Sequence, residues 1–207
     1  MSSIDELLRH PGVWRARDQG GSSQPSGLPT GFGALDRCLP GGGWPRQGLI
    51  ELLADSSGIG ELSLLMPALA ALCGEKHEGG WLAWVSPPYQ PYAPALAACG
   101  IDINRVLVVR SGPAPWVMEQ ALRSGSCSAV LGWVDAVDLP GLRRLQLAAE
   151  QAGCLAVLFR RSQESHLPSP AVLRIMLSSR PAGLEVQILK SRGARPTGTT
   201  LPYGSLQ

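Results

Sequence analysis

Charge is scarce in this sequence. Only 16% of its 207 residues are Asp, Glu, Lys or Arg, and the formal net charge is +2. So small a surplus gives no global electrostatic case for nucleic acid, while 44% hydrophobic residues suffice for one good core with terminal appendages. Long apolar runs are lacking as well. The most apolar stretch, Leu62 to Cys73, is too short for a bilayer and carries Pro67, so no membrane partner is expected. The opening Met1-Ser2-Ser3-Ile4-Asp5-Glu6 lacks the basic and apolar regions of a signal peptide, which predicts a cytoplasmic location. Cys38, Cys73, Cys99, Cys127 and Cys154 are odd in number and widely spaced. They read as buried thiols in a reducing compartment, and neither a metal nor a cofactor is expected.

A further absence is chemical. Leu49 to Ala54 reads as a short apolar strand, Asp55-Ser56-Ser57-Gly58-Ile59-Gly60 as a small-residue loop and Glu61 onward as an apolar helix. That is the layout of a phosphate-binding loop in a nucleotide-binding α/β domain. Such a loop needs Gly at its tight turn, Lys to reach the phosphates and Ser or Thr to hold Mg²⁺. With Gly60 on the last glycine of the motif, Asp55 falls on the first glycine, Glu61 on the lysine and Leu62 on the hydroxyl. A carboxylate there repels a triphosphate and Leu offers a metal no oxygen, so the expectation is a retained scaffold without catalytic residues, not an enzyme.

Ahead of the loop, Ile4, Leu7 and Leu8 share one side of a short helix that breaks at Pro11-Gly12, and Val13 and Trp14 add apolar surface. These residues either pack on the chain's own core or dock on a partner. Residues 1–18 are therefore read as an amphipathic N-terminal helix and 19–27 as a flexible linker. Residues 28–190 form the core, and 191–207 a basic, then Gly/Thr/Pro-rich tail without regular structure. Within the core, strands are expected at Trp81–Val85, Ser128–Asp135 and Cys154–Phe159. Ala171–Ser178 and Leu184–Leu189 should be closing antiparallel strands around the turn Arg180-Pro181-Ala182-Gly183. Arg160 and Arg161 read as a solvated rim. Lys190, Arg192 and Arg195 make the one concentrated basic run, a solvated tail or a docking site for an acidic partner or nucleic acid. Trp81, Trp84 and Trp133 read as core and Trp44, after three glycines, as exposed.

The segment Leu28-Pro29-Thr30-Gly31-Phe32-Gly33-Ala34-Leu35-Asp36, the glycine cluster Gly41-Gly42-Gly43 and Pro45-Arg46 ahead of the loop strand resemble the entry pattern of the RecA recombinase family. Gapless counting against that family puts Pro88 where its catalytic glutamate stands and Trp133 where its magnesium-orienting aspartate stands, with Asp135 two residues late. Asp135 then reads as a loop residue or helix N-cap rather than a metal ligand. The Gly58-Ile59-Gly60-Glu61-Leu62 loop, with no further C-terminal domain, resembles the ImuA family. Leu64-Leu65-Met66-Pro67-Ala68-Leu69 and Ala129-Val130-Leu131-Gly132-Trp133 also resemble SulA.

The ImuA resemblance implies an α/β fold: a RecA-like core whose mostly parallel twisted sheet is flanked by helices and closed by antiparallel strands, with a short N-terminal helix on a linker. It implies a non-catalytic accessory role in SOS-induced mutagenic translesion DNA synthesis. The partners would be the ImuB adaptor and an error-prone C-family polymerase, with RecA and a second copy as further candidates. Direct DNA contact would be weak at most. The SulA resemblance implies instead an SOS cell-division inhibitor that binds FtsZ. Backbone N–H groups of Ser56 to Gly60 are what a residual nucleotide site would use. Ile4, Leu7, Leu8 and Trp14, then Lys190, Arg192 and Arg195, are the candidate partner-binding residues.

Overall fold

A computed structural model describes residues 27–74, 80–191 and 197–206. Its strands are β1 (Gly48–Ala54), β2 (Trp81–Val85), β3 (Val106–Val109), β4 (Cys127–Trp133), β5 (Leu155–Arg161), β6 (Leu173–Arg180), β7 (Gly183–Ser191) and β8 (Gly198–Leu201). They join in one sheet of order β3-β2-β4-β5-β1-β6-β7-β8. The six strands from β3 to β6 in that order run parallel, and β7 and β8 turn back antiparallel. The helices are α1 (Gly33–Asp36), α2 (Met66–Gly74), α3 (Ala93–Ala98), α4 (Ala114–Arg123) and α5 (Leu139–Ala152). This is a mixed α/β fold.

The central strands are apolar on both faces because each face is covered. Leu49 points to one side of β1 and Ile50 and Leu52 to the other, as the period of two requires. The Leu49 face packs on α4 and α5 through Met118, Leu122, Leu142, Leu145 and Ala149. The opposite face packs on α2 and on the segment that precedes β1, through Leu28, Leu35, Leu39, Trp44, Leu64 and Leu69. Asp138 starts α5 by accepting the Gly141 N–H at 2.8 Å, and Gly153 ends it in the left-handed conformation. The glutamine of that helix is also used: Gln146 Oε1 accepts the Leu49 N–H at 2.9 Å, satisfying the first apolar residue of β1.

Several expectations fail here. Trp44 is fully buried, not exposed, because its backbone pairs with Leu28 and folds the glycine cluster back over the core. Trp81, expected in the core, is 47% exposed at the start of β2. The tail beyond residue 191 is not wholly irregular. Gly198–Leu201 pairs with Leu184–Gln187, Leu201 is buried, and Leu206 packs on the core. A strand partner with unpaired backbone groups, β7, supplies the order that the tail's composition does not. The N-cap reading of Asp135 also fails, since Asp138 does that work. The five cysteines are free, but Cys99 is exposed and only Cys154 is fully buried. The expected N-terminal helix and linker through residue 26 lie outside the described residues.

Candidate functional site

The loop after β1 carries the main finding. Gly58 and Gly60 hold φ of +85° and +110°, conformations that side chains rarely adopt, and between them the backbone turns its N–H groups to one side. Those donors are not empty. The Glu61 carboxylate folds back over them: Oε1 accepts from Gly58 N at 2.7 Å, and Oε2 from Ile59 N at 2.9 Å and Gly60 N at 3.1 Å. Glu61 is 5% exposed. The sequence places an acid at the lysine position and predicts repulsion. The structure adds that this acid occupies three of the backbone donors that the sequence offered to a phosphate.

Around the loop, the carboxyl ends of the parallel strands open into a cavity of about 550 Å³. This is where open α/β sheets form their crevices. Asp55, Ser56 and Ser57 line it after β1, Ser86, Pro88 and Tyr89 after β2, Asp135 after β4, and Arg160 and Arg161 at the end of β5. Pro88 and Trp133 both line this cavity. Trp133 stacks on Phe159 with ring centroids 4.5 Å apart and an interplanar angle of 10°, and leans on Trp84 at 5.9 Å. Trp133 and Phe159 thus add an aromatic stretch to a lining that is otherwise largely polar. Asp55 is tied across to β5: its side chain takes the Ser162 hydroxyl and its carbonyl accepts from Arg161 at 3.3 Å.

Sequence reasoning missed a buried ion network beneath the cavity. Glu51 lies in the middle of β1 with no exposure. Arg174 stands directly opposite on β6 and Arg160 diagonally on β5, so all three share one face of the sheet. Glu51 accepts from Arg160 Nη1 at 3.0 Å and from Arg174 Nε. Arg160 also pairs with Glu164 at 2.7 Å. Arg174 donates three further N–H groups to the carbonyls of Glu164, Ser165 and Leu167 and so clamps the 162–167 turn. Arg160 is thus a structural buried cation, not the solvated rim expected; only Arg161 of the pair is exposed. The available signal was a lone carboxylate inside an apolar strand, which demands buried partners.

Of the candidate partner-binding residues, Lys190 is exposed on β7, where its Nζ donates to the Ser169 carbonyl at 2.7 Å. Ile4, Leu7, Leu8, Trp14, Arg192 and Arg195 lie outside the described residues. Among the described residues, no group of three or more His, Cys, Asp or Glu side chains is placed to hold a metal ion. No described helix is long and apolar enough to cross a membrane. Burial pushes the Cys154 thiol up to about 12, helped by Cys127 nearby, and raises Cys127 as well. Neither is a poised nucleophile.

Comparison with known proteins places these features. A SulA protein of Edwardsiella piscicida, a cell division inhibitor, is 36% identical over 61% of this chain and 76% of its own length. Protein ImuA of Caulobacter vibrioides is 31% identical over 65% of this chain, which spans only 57% of that protein. A solved structure of SulA from Pseudomonas aeruginosa matches with a TM-score of 0.44 and 25% identity, over 54% of this chain and 97% of that one, a superposition too loose to fix the fold. The sequence ranks ImuA ahead of SulA; the chain is similar to both, and the family model that matches is SulA's. It covers residues 50–156, from β1 through the start of β5, and includes the Glu61 loop, Pro88 and Trp133. The chain belongs to the SulA family, described as cell division inhibitor SulA.

Proposed function

We propose that this protein is a RecA-like module that no longer hydrolyses nucleotide and acts by protein contact in the SOS response. The observation that carries the reading is the Glu61 carboxylate seated on the Gly58, Ile59 and Gly60 N–H groups, where a phosphate would have to bind. Pro88, which cannot activate a water, and the Trp133–Phe159 stack in place of a metal-orienting carboxylate support it.

The role we favour is that of an ImuA-type accessory protein in mutagenic translesion synthesis, with the ImuB adaptor and an error-prone C-family polymerase as partners. What supports it is the 31% identity to Caulobacter ImuA and the core on either side of the SulA-matched stretch. Leu28, Leu35 and Trp44 before that stretch, and Ile175, Ile188 and Leu201 after it, are buried in the same cluster. Co-purification of the tagged full-length protein with ImuB from the same cell is the test. Capture that survives high salt and needs no ATP is expected, and absence of capture with correctly folded protein overturns it.

A second reading, division inhibition through FtsZ, is favoured by the family match and by the 36% identity to the Edwardsiella inhibitor. It predicts that stoichiometric protein lowers FtsZ sedimentation in the presence of GTP. Unchanged sedimentation removes it.

A further inference from the structure

We propose that Glu61 is the permanent anion of its own loop: the carboxylate holds the 58–60 turn in the shape that a bound phosphate would otherwise impose. This rests on reading the loop as one built for phosphate and adds what keeps it folded without one. Three consecutive backbone N–H groups directed at one point need a negative partner. Left unpaired in a partly buried turn, they would destabilise it. Glu61 satisfies all three with both of its oxygens while staying 5% exposed. The positive φ of Gly58 and Gly60, open to glycine without steric cost, brings the donors together.

The shape matters beyond the loop. A Cβ on Gly60 would come within 3.3 Å of Leu206, so the turn is packed against the segment that follows β8. On its other side the loop shares walls with Pro88, Tyr89 and Trp133. A loop that keeps its own anion presents these surfaces in one form whatever the nucleotide level of the cell. That is a fixed platform, where an active phosphate loop would be a ligand-dependent one.

The test is chemical rescue of full-length Glu61→Ala by inorganic phosphate. Thermal midpoints are compared in sodium phosphate and in sodium chloride at matched ionic strength, because phosphate also stabilises proteins by exclusion from their surface. In chloride the variant should melt about 4–8 °C below the wild type. Phosphate at 50 mM, about the excess needed for weak anion sites, should restore at least half of that loss, and the wild type should respond only by the general increment. Amide resonances of Gly58, Ile59 and Gly60 should move with phosphate in the variant alone, a readout that general stabilisation leaves untouched. A variant as stable as the wild type, or one whose midpoint and loop resonances gain no more from phosphate than the wild type's, overturns the proposal. Should the Ala variant fail to fold, Glu61→Gln keeps the shape and one acceptor. It should melt lower than the wild type and gain the phosphate response, and behaviour indistinguishable from the wild type is equally fatal. Partner capture plays no part in these measurements, so a failed ImuB or FtsZ assay and a failed rescue are separate results.

Discussion

Replacing Glu51 by Ala tests the most buried charge among the described residues. Glu51 has no exposure and receives two guanidinium groups, whose side chains are 1% and 8% exposed. Removing it leaves Arg160 with Glu164 alone and Arg174 with three carbonyls and no anion. Breaking a buried pair from one side costs about 3–5 kcal/mol, because the remaining charge stays desolvated. At about 2–4 °C per kcal/mol for a domain of this size, the midpoint should fall by about 6–20 °C. Glu51→Gln keeps the volume and loses the charge, and should cost about 1.5–3 kcal/mol. Urea denaturation followed by far-UV circular dichroism measures both. Replacing Glu51, Arg160 and Arg174 together by Leu removes the stranded charges and should recover most of the loss. The 162–167 turn, deprived of the Arg174 clamp, should still exchange its amides faster. A Glu51→Ala loss under about 1 kcal/mol with an unchanged urea slope would refute the reasoning.

Trp133→Ala removes the ring stacked on Phe159 and should cost about 2–4 kcal/mol while enlarging the cavity, measurable by the same titration. Gly183→Ala places a methyl group against the Leu201 carbonyl in a backbone of φ +143°. It should unpair β8 and expose the following segment to limited proteolysis without unfolding the parallel sheet. Exposed Cys99 should react first with a thiol reagent at pH 8, and Cys154, raised to about 12, only on unfolding. Because the unfolded Cys154 thiol ionises nearer its ordinary 9.0, its contribution to stability is complete below pH 9 and is lost as the pH rises toward about 12. A Cys154→Ser variant should show a flatter decline over that window.

The parallel strands were legible because β1, β4 and β5 are short apolar runs bounded by loops, which signals burial on both faces. The loop was legible for a different reason, Gly58, Gly60 and Glu61 standing at fixed offsets from a strand end, but its length was not: the helix expected from Glu61 begins only at Met66, after a turn over residues 61–65. What Glu61 does there was not legible. A charge at the lysine position predicts only repulsion, while its folding back depends on the positive φ of two glycines. Trp44 and β8 were misread because each takes its order from a remote partner, Leu28 in one case and β7 in the other, and composition is silent about such pairings. Arg160 was misread with its neighbour Arg161 because alternation along β5 sends one inward and the other outward. Only the lone acid in β1 could have marked which arginine had a buried partner.

Whether the loop of the wild-type protein still takes a nucleotide is the most direct test of the Glu61 contact. Calorimetric titration of ATP with Mg²⁺ into the full-length protein should give no heat beyond dilution, because Glu61 already fills the donors a phosphate needs. A saturable isotherm with a dissociation constant in the micromolar range, lost when Gly58 or Gly60 is replaced, would contradict it.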